Sequence, residues 1–365
     1  MTKNNKIIRV LHTEWSGGWG GQEIRIINEM LAVRERGIEV FLAAPAHAEI
    51  TKKAHENNIA VFELPFKGKY DLKTFWLLRK IIREHEIDIV NTHSGGDTWV
   101  GGLAAKTSGA KFIRTRHLGY RIKSSYINFI NQLADYVITT GSNVRDEMIK
   151  FNRIKPHKII SIPTCTNTEI YNPQRYDKIC LREKFGLKDK QTIIGTLCFL
   201  RGVKRLDLFI KMASAIIHKN PDIYFVIAGE GPQKNNCIGL INSLGIEKNV
   251  KMLGHVDKPW EFFASLDLFV ITSDAETGPQ TAMQALLMEV PLISTDVGSV
   301  KDFVIGSEAV IVPCNHLQAL IFSVEDFLTK KRNNQLPLIS RDYLVKNYSF
   351  ESMINKILKV YYEVL

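Results

Sequence analysis

The stretch IIRVLHTEWSGGWGGQEIRIINEMLAVRERG, residues 7–37, decides the fold class. Ile7 to His12 is a short β-branched run of strand type. Ser16 to Gly21 is a glycine-rich turn, and Gln22 to Gly37 has the apolar spacing of an amphipathic helix closed by glycine. A strand, a glycine loop and a helix in that order form the phosphate-binding entry of a doubly wound α/β domain.

The same grammar continues outward. Strands are expected at Glu39 to Ala43, Ile87 to Thr92, Lys111 to Thr115 and Tyr136 to Thr140, with helical patterns between them. A second series starts at Gln191 to Thr196 and runs through Tyr224 to Ala228, Leu268 to Thr272 and Pro291 to Ser294. Between the two series, Tyr171 to Lys190 is polar, contains Pro173 and reads as a linker. Phe350 to Leu365 reads as a terminal helix. The class is therefore α/β with two Rossmann-like domains, and 365 residues suit two cores rather than one.

Composition narrows the functions. The formal net charge is +10, and residues 1–170 carry 25 Lys or Arg against 17 Asp or Glu, whereas the remainder carries 23 against 21. A basic first half suits nucleic acid, an anionic membrane surface or a phosphorylated substrate. No nucleic-acid-binding signature accompanies it, so no nucleic-acid partner is expected. Cys165, Cys180, Cys198, Cys237 and Cys314 are odd in number and lack CxxC spacing, which argues against disulfides and zinc. MTKNNKIIRVLH at the start has no signal-peptide pattern, and no apolar run reaches membrane-spanning length. A cytoplasmic protein is expected, touching a membrane only from its face.

Ligands of open α/β sheets bind beyond the carboxyl ends of strands, so the loops there are the candidate sites. Gly20 and Gly21 follow the first strand, and they serve either a tight turn or the approach of backbone N–H groups to an anion. In Phe199-Leu-Arg-Gly-Val-Lys-Arg205, Arg201 and Lys204 suit a diphosphate, the alternative being a solvated basic loop. Gly229, Glu230 and Gly231 form either a flat surface for a nucleobase or a plain turn. In Ser273 to Gln284, Pro279 sits near a helix start that leaves the N–H groups of Gly278, Gln280 and Thr281 for phosphate. Glu276 precedes that helix and Gln284 lies just over one turn inside it, as ligand contacts or as an acidic cap and a surface amide.

Taken in order, these motifs resemble the GT-B glycosyltransferases of family 4. The resemblance runs nearly end to end: GGQE at 20–23, NTHSGGD at 91–97, TRH at 115–117, ADYVITTGS at 134–142, SIPT at 161–164, LRGVKRLD at 200–207, AGEGP at 228–232 and an EX7E-type region at 276–284. It implies two domains facing each other across a cleft, an acceptor-binding domain at 1–170, a donor-binding domain at 171–345, and a helix at 346–365 that crosses back onto the first domain. It also implies retaining transfer of a hexose-type sugar from a nucleotide-diphosphate donor, with no cofactor and no catalytic metal. Arg201 and Lys204 match the pair that binds the donor diphosphate, and Gly21 the glycine facing it from the other lobe. Glu276 matches the glutamate on the transferred sugar, Thr277 to Thr281 the backbone donors, and His117 the histidine near the anomeric centre. His93 matches a histidine on the preceding cleft loop, an acceptor-side candidate that is otherwise structural. Two departures stand out. Gln284 replaces the second acid of the motif, where an amide still accepts from one ribose hydroxyl and donates to the other. Thr164-Cys165-Thr166-Asn167 replaces the frequent Asn-Gly-Val-Asp at the interdomain crossover.

The partners expected are a nucleotide sugar and a glycan or lipid-linked acceptor of polysaccharide or lipopolysaccharide assembly. Phe66 to Tyr70 with Lys73 to Arg83, and Arg114 to Lys123 with Tyr126 and Phe129, mix aromatic and basic residues. They suit either peripheral contact with anionic headgroups on the cytosolic face of the inner membrane or helices packed on the sheet with their cations in water. Competing functions are a nucleotide-sugar epimerase of the same shape and a non-catalytic nucleotide- or glycan-binding protein.

Overall fold

The computed structural model describes residues 7–117, 119, 122, 129–184, 186 and 191–365, without the side chains of residues 180 and 181. The first six residues, residues 118, 120, 121 and 123 of the basic stretch at 114–123 together with Tyr126, the end of the expected linker and the Cys180 thiol lie outside it. Two compact units emerge, one of residues 1–164 with 351–365 and one of 165–350.

The first unit is built on seven parallel strands, β1 Arg9–Thr13, β2 Glu39–Ala44, β3 Ala60–Glu63, β4 Ile89–Thr92, β5 Lys111–Arg116, β6 Tyr136–Thr139 and β7 Ile159–Ser161, in the order β3-β2-β1-β4-β5-β6-β7. The second has six, β8 Thr192–Leu197, β9 Ile223–Ala228, β10 Val250–Gly254, β11 Leu268–Ile271, β12 Leu292–Thr295 and β13 Val310–Val312, in the order β10-β9-β8-β11-β12-β13. Helices cover both faces, which is why the central strands are buried almost without alternation, apolar along most of the second sheet and with buried His12, Asn91, Arg114 and Thr115 in the first. Each sheet reverses strand order once, between β1 and β4 in the first unit and between β8 and β11 in the second. Such a reversal opens a crevice at the carboxyl ends of the two strands.

Local chemistry sets the borders. The first helix, Gly21–Arg34, begins at the quoted glycine turn, and the Gly20 N–H donates to Glu23 Oε2 at 2.9 Å. The stretch expected to be a linker belongs to the second unit. Tyr171 is buried in its core, and the Arg341 guanidinium donates to the carbonyls of Thr168 and Tyr171 at 2.8 and 3.0 Å. The last helix, Phe350–Val364, packs on the first unit through Met353, Ile354, Ile357, Val360 and Tyr361, each at most 2% exposed. Arg114 is not a surface charge as its basic neighbourhood suggested. It is buried, donating to the Thr92 and Thr115 carbonyls at 3.2 and 3.1 Å.

Candidate active site

In the second unit the predicted residues gather at the β8/β11 reversal. Beyond β8 the chain enters a 3-10 turn at Gly202–Lys204, and beyond β11 it runs through Thr272 to Glu276. The Thr272 hydroxyl faces the carbonyls of Lys204 and Arg205 at 3.0 and 3.1 Å, and the Asp274 N–H donates to the Val203 carbonyl at 2.9 Å. These bonds hold the two loops side by side. As a result the Lys204 ammonium donates to Glu276 Oε1, the oxygen to which Ser273 Oγ also donates at 2.9 Å. Both charged side chains keep roughly a sixth of their surface in solvent, at 15% and 17%. The pair is thus open to a ligand.

Arg201 sits at the same loop but is exposed, its guanidinium 5.5 Å from the centre of the Phe199 ring. Arg205, the third cation, is spoken for: it adopts positive φ and binds Asp207 and Asp274. The glycines after β9 bring a second loop against this one. Gly229 has φ +126°, and a Cβ there would lie 1.9 Å from the Cys198 carbonyl oxygen; a Cβ on Gly231 would lie 2.7 Å from the backbone of Leu200. The two loops bond directly, Leu200 N–H donating to the Glu230 carbonyl at 2.8 Å. The Glu230 side chain turns to Lys234 at 2.8 Å instead. Burial pushes the Cys198 thiol up to about 12, so it is a neutral filler beside Lys204 and Glu276.

The helix after Glu276 spans Gln280–Leu287, and Pro279 caps it from outside the first turn. Among the described residues, the N–H groups of Thr277, Gly278, Gln280 and Thr281 donate to no other group. The Thr277 carbonyl is held by Ser299, from N–H at 3.0 Å and Oγ at 3.1 Å, above Gly298, where a Cβ would meet the Glu276 and Thr277 carbonyls at 2.5 Å. Gln284 is half-buried, its amide 3.5 Å from Thr166 Oγ1.

In the first unit the reversal lies at β1/β4. Gly20 and Gly21 follow β1, and His93 follows β4. Glu14 ties the glycine loop down: one oxygen accepts from the N–H groups of Trp15 and Ser16 at 2.9 and 2.8 Å and from Ser94 Oγ at 2.6 Å, the other from the Gln22 amide. Asp97 accepts from Thr13 Oγ1 at 2.8 Å and from the N–H groups of His93 and Ser94 at 2.9 Å. Burial, with Glu14 nearby, pushes the Asp97 carboxyl up to about 7.

His93 is buried between two other imidazoles. Its Nε2 lies 2.9 Å from Nδ1 of His12, with the rings stacked, and its Nδ1 lies 3.0 Å from Nε2 of His117. Behind His12, the Tyr361 hydroxyl lies 3.5 Å from Nε2 and donates to Glu29 Oε1 at 3.2 Å. Burial holds His12 down to about 3, and burial with the neighbouring cations holds His93 and His117 well below the usual imidazole range. His93 and His117 were expected from sequence; His12, Glu14, Glu29, Asp97, Gly298, Ser299 and Tyr361 were not. Only Ser94 to Asp97 carried a signal, the spacing of a capping box.

Comparison with known proteins places the chain in a family. Residues 19–170 match the model for Glycosyltransferase Family 4, and residues 177–349 match that for Glycosyl transferases group 1. The GPI3 subunit of phosphatidylinositol N-acetylglucosaminyltransferase from Saccharomyces cerevisiae is 22% identical over 362 residues, covering 94% of this chain and 79% of that one. Among solved structures, a glycosyltransferase from Rickettsia africae shares the fold with a TM-score of 0.87 at 20% identity, over 98% of both chains. Anabaena HepE, solved in complex with UDP, gives 0.81 at 17% identity, over 98% of this chain and 100% of that one. With the two family models laid end to end along nearly the whole sequence, and the fold shared by those structures, the chain belongs to the family 4 glycosyltransferases of GT-B fold.

Proposed function

We propose that this glycosyltransferase moves a hexose-type sugar, with retention, from a nucleotide-diphosphate donor to a lipid-linked or glycan acceptor in the assembly of cell-surface polysaccharide or lipopolysaccharide. The observation that carries this reading is the accessible Lys204–Glu276 pair at the reversal of the second sheet. An ammonium and a carboxylate side by side match a ligand that offers a diphosphate to one and sugar hydroxyls to the other. The N–H groups of Thr277, Gly278, Gln280 and Thr281 suit the same diphosphate. HepE, with its bound UDP, supports a uridine diphosphate donor, and the phosphatidylinositol in the yeast relative's name supports a lipid acceptor.

In the proposed step, the acceptor oxygen bonds to the anomeric carbon on the face from which the diphosphate oxygen leaves, and the acceptor's proton passes to that departing oxygen. Negative charge grows on the diphosphate as the bond breaks, so Lys204 and Arg201 stabilise the transition state more than the bound donor. The protein supplies position and charge; no metal takes part in this scheme.

A panel of nucleotide sugars, read by thermal stabilisation, identifies the donor. With that donor, Lys204→Ala is expected to lose about 100-fold or more in turnover while still folding cooperatively, at a lower melting temperature because Glu276 loses its partner. Undiminished turnover in the folded variant sinks the assignment.

A further inference from the structure

The three imidazoles of the first unit are threaded end to end, His93 meeting His12 through one ring nitrogen and His117 through the other. A neutral imidazole has one N–H and one lone pair, so His93, flanked on both nitrogens, donates one bond and accepts the other. The chain therefore has a direction, and fixing one proton fixes them all. Burial keeps the rings neutral, and the nearby guanidinium groups of Arg25, Arg114 and Arg116 further oppose a second proton on His117.

The far end sets the direction. Glu29 Oε1 faces the Tyr361 hydroxyl at 3.2 Å and the Asn91 amide at 3.3 Å. The Asn91 carbonyl oxygen is occupied by the Thr115 hydroxyl at 2.8 Å, so its NH2 points at Glu29. Arg25, one turn earlier on the same helix, lies 3.9 Å from the other Glu29 oxygen. Oε1 takes the Asn91 N–H and so acts as an acceptor, Arg25 beside Oε2 opposes the burial that pushes this carboxyl up, and Tyr361 donates to Oε1. The phenol then has only lone pairs to offer His12 Nε2, which carries that ring's proton. His12 Nδ1 accepts from His93 Nε2–H, and His93 Nδ1 accepts from His117 Nε2–H.

We propose that Glu29 and Tyr361, acting through His12 and His93, hold His117 as its Nε2–H tautomer and so present its bare Nδ1 as a hydrogen-bond acceptor for a sugar hydroxyl beyond β5. Among the described residues His117 Nδ1 has no hydrogen-bond partner. The four residues behind it are positioning residues. Only the identity of the ligand rests on the proposed function; the order of protons does not.

The test is long-range 1H–15N NMR of the full chain with labelled histidine, assigned by single His→Gln variants. The expected result is that His12, His93 and His117 are all Nε2–H tautomers and that none becomes imidazolium between pH 7 and pH 5. An Nδ1–H resonance at His117, or ordinary titration of any of the three, overturns the proposal. Tyr361→Phe keeps the ring but cuts the link to Glu29. It is expected to populate Nδ1–H at His117 and to lower kcat by about tenfold or more, with the donor KM changed by less than about twofold. Unchanged tautomers in folded Tyr361→Phe also overturn it. If the tautomers stand as expected but His117→Ala retains full turnover, the catalytic placement of His117 fails and the proton order survives.

Discussion

His12 has no room for a second proton, because its Nδ1 faces His93 and its Nε2 faces Tyr361 inside the protein. Its folded pKa of about 3 lies far below the ordinary 6.5, so on acidification the unfolded chain takes up a proton that the folded chain refuses. Stability from this group is complete above pH 6.5 and falls as pH drops towards 3, by up to about 1.4 kcal/mol per pH unit. Asp97 has the opposite sign: held at about 7, it keeps a proton that the unfolded chain releases near pH 4, and its contribution declines as pH rises between the two. His12→Asn should therefore show a stability slope that is shallower by about 1.2 kcal/mol per unit, averaged between pH 4.5 and 6.5 in urea unfolding; equal slopes would contradict the buried neutral ring. Gln284 gives a binding prediction. A carboxylate accepts from both hydroxyls of a ribose with charge-assisted bonds, so Gln284→Glu should tighten donor binding by up to about tenfold, measured by calorimetry. At this scale the sequence shows what sits on strand-end loops, which is why Arg201, Lys204 and Glu276 were legible. It does not show that a lone histidine in a strand meets a tyrosine 349 positions away.

At the scale of elements, the glycines after β9 matter more than their neighbours. Positive φ and the Cys198 carbonyl together leave no place for a side chain at Gly229. Gly229→Ala is expected to cost about 2–4 kcal/mol in urea unfolding, through strain and through displacement of the 198–201 loop. A loss below about 0.5 kcal/mol would mean that the loops are not in contact. Central strands were legible because burial on both faces favours short runs rich in β-branched residues, even where His12, Asn91 or Arg114 interrupts them. The four edge strands β3, β7, β10 and β13 were not legible: only partly buried, they carry no sustained apolar run. The expected linker misled for a related reason, since a polar stretch with one proline does not reveal that Tyr171 anchors it in a core.

For the molecule as a whole, the basic excess of the first half becomes a surface on the Leu72–Glu84 helix. Tyr70, Leu72 and Trp76 are 75%, 72% and 59% exposed, beside the exposed cations Lys73, Lys80 and Arg83. Arg79 stacks 4.8 Å over the Trp76 ring. We expect this face to retain the protein on anionic vesicles at low salt. Each cation near such a surface is worth about 1 kcal/mol, so reversing Lys73, Lys80 and Arg83 to Glu should weaken flotation by about 100-fold or more without altering turnover of a soluble acceptor. No flotation of the parent discards the membrane reading. Among the described residues no helix is long and apolar enough to cross a bilayer.

The interleaved path of the chain also sets an order of events on the ribosome. Residues 165–350 form one uninterrupted run and are free to fold while synthesis continues, whereas the earlier-made unit must wait for 351–365 to supply the side chains that close its core. The part translated first is thus completed last. A chain ended at Phe350 should acquire protease resistance only in its later half, and extension through Leu365 should make the N-terminal segment resistant as well.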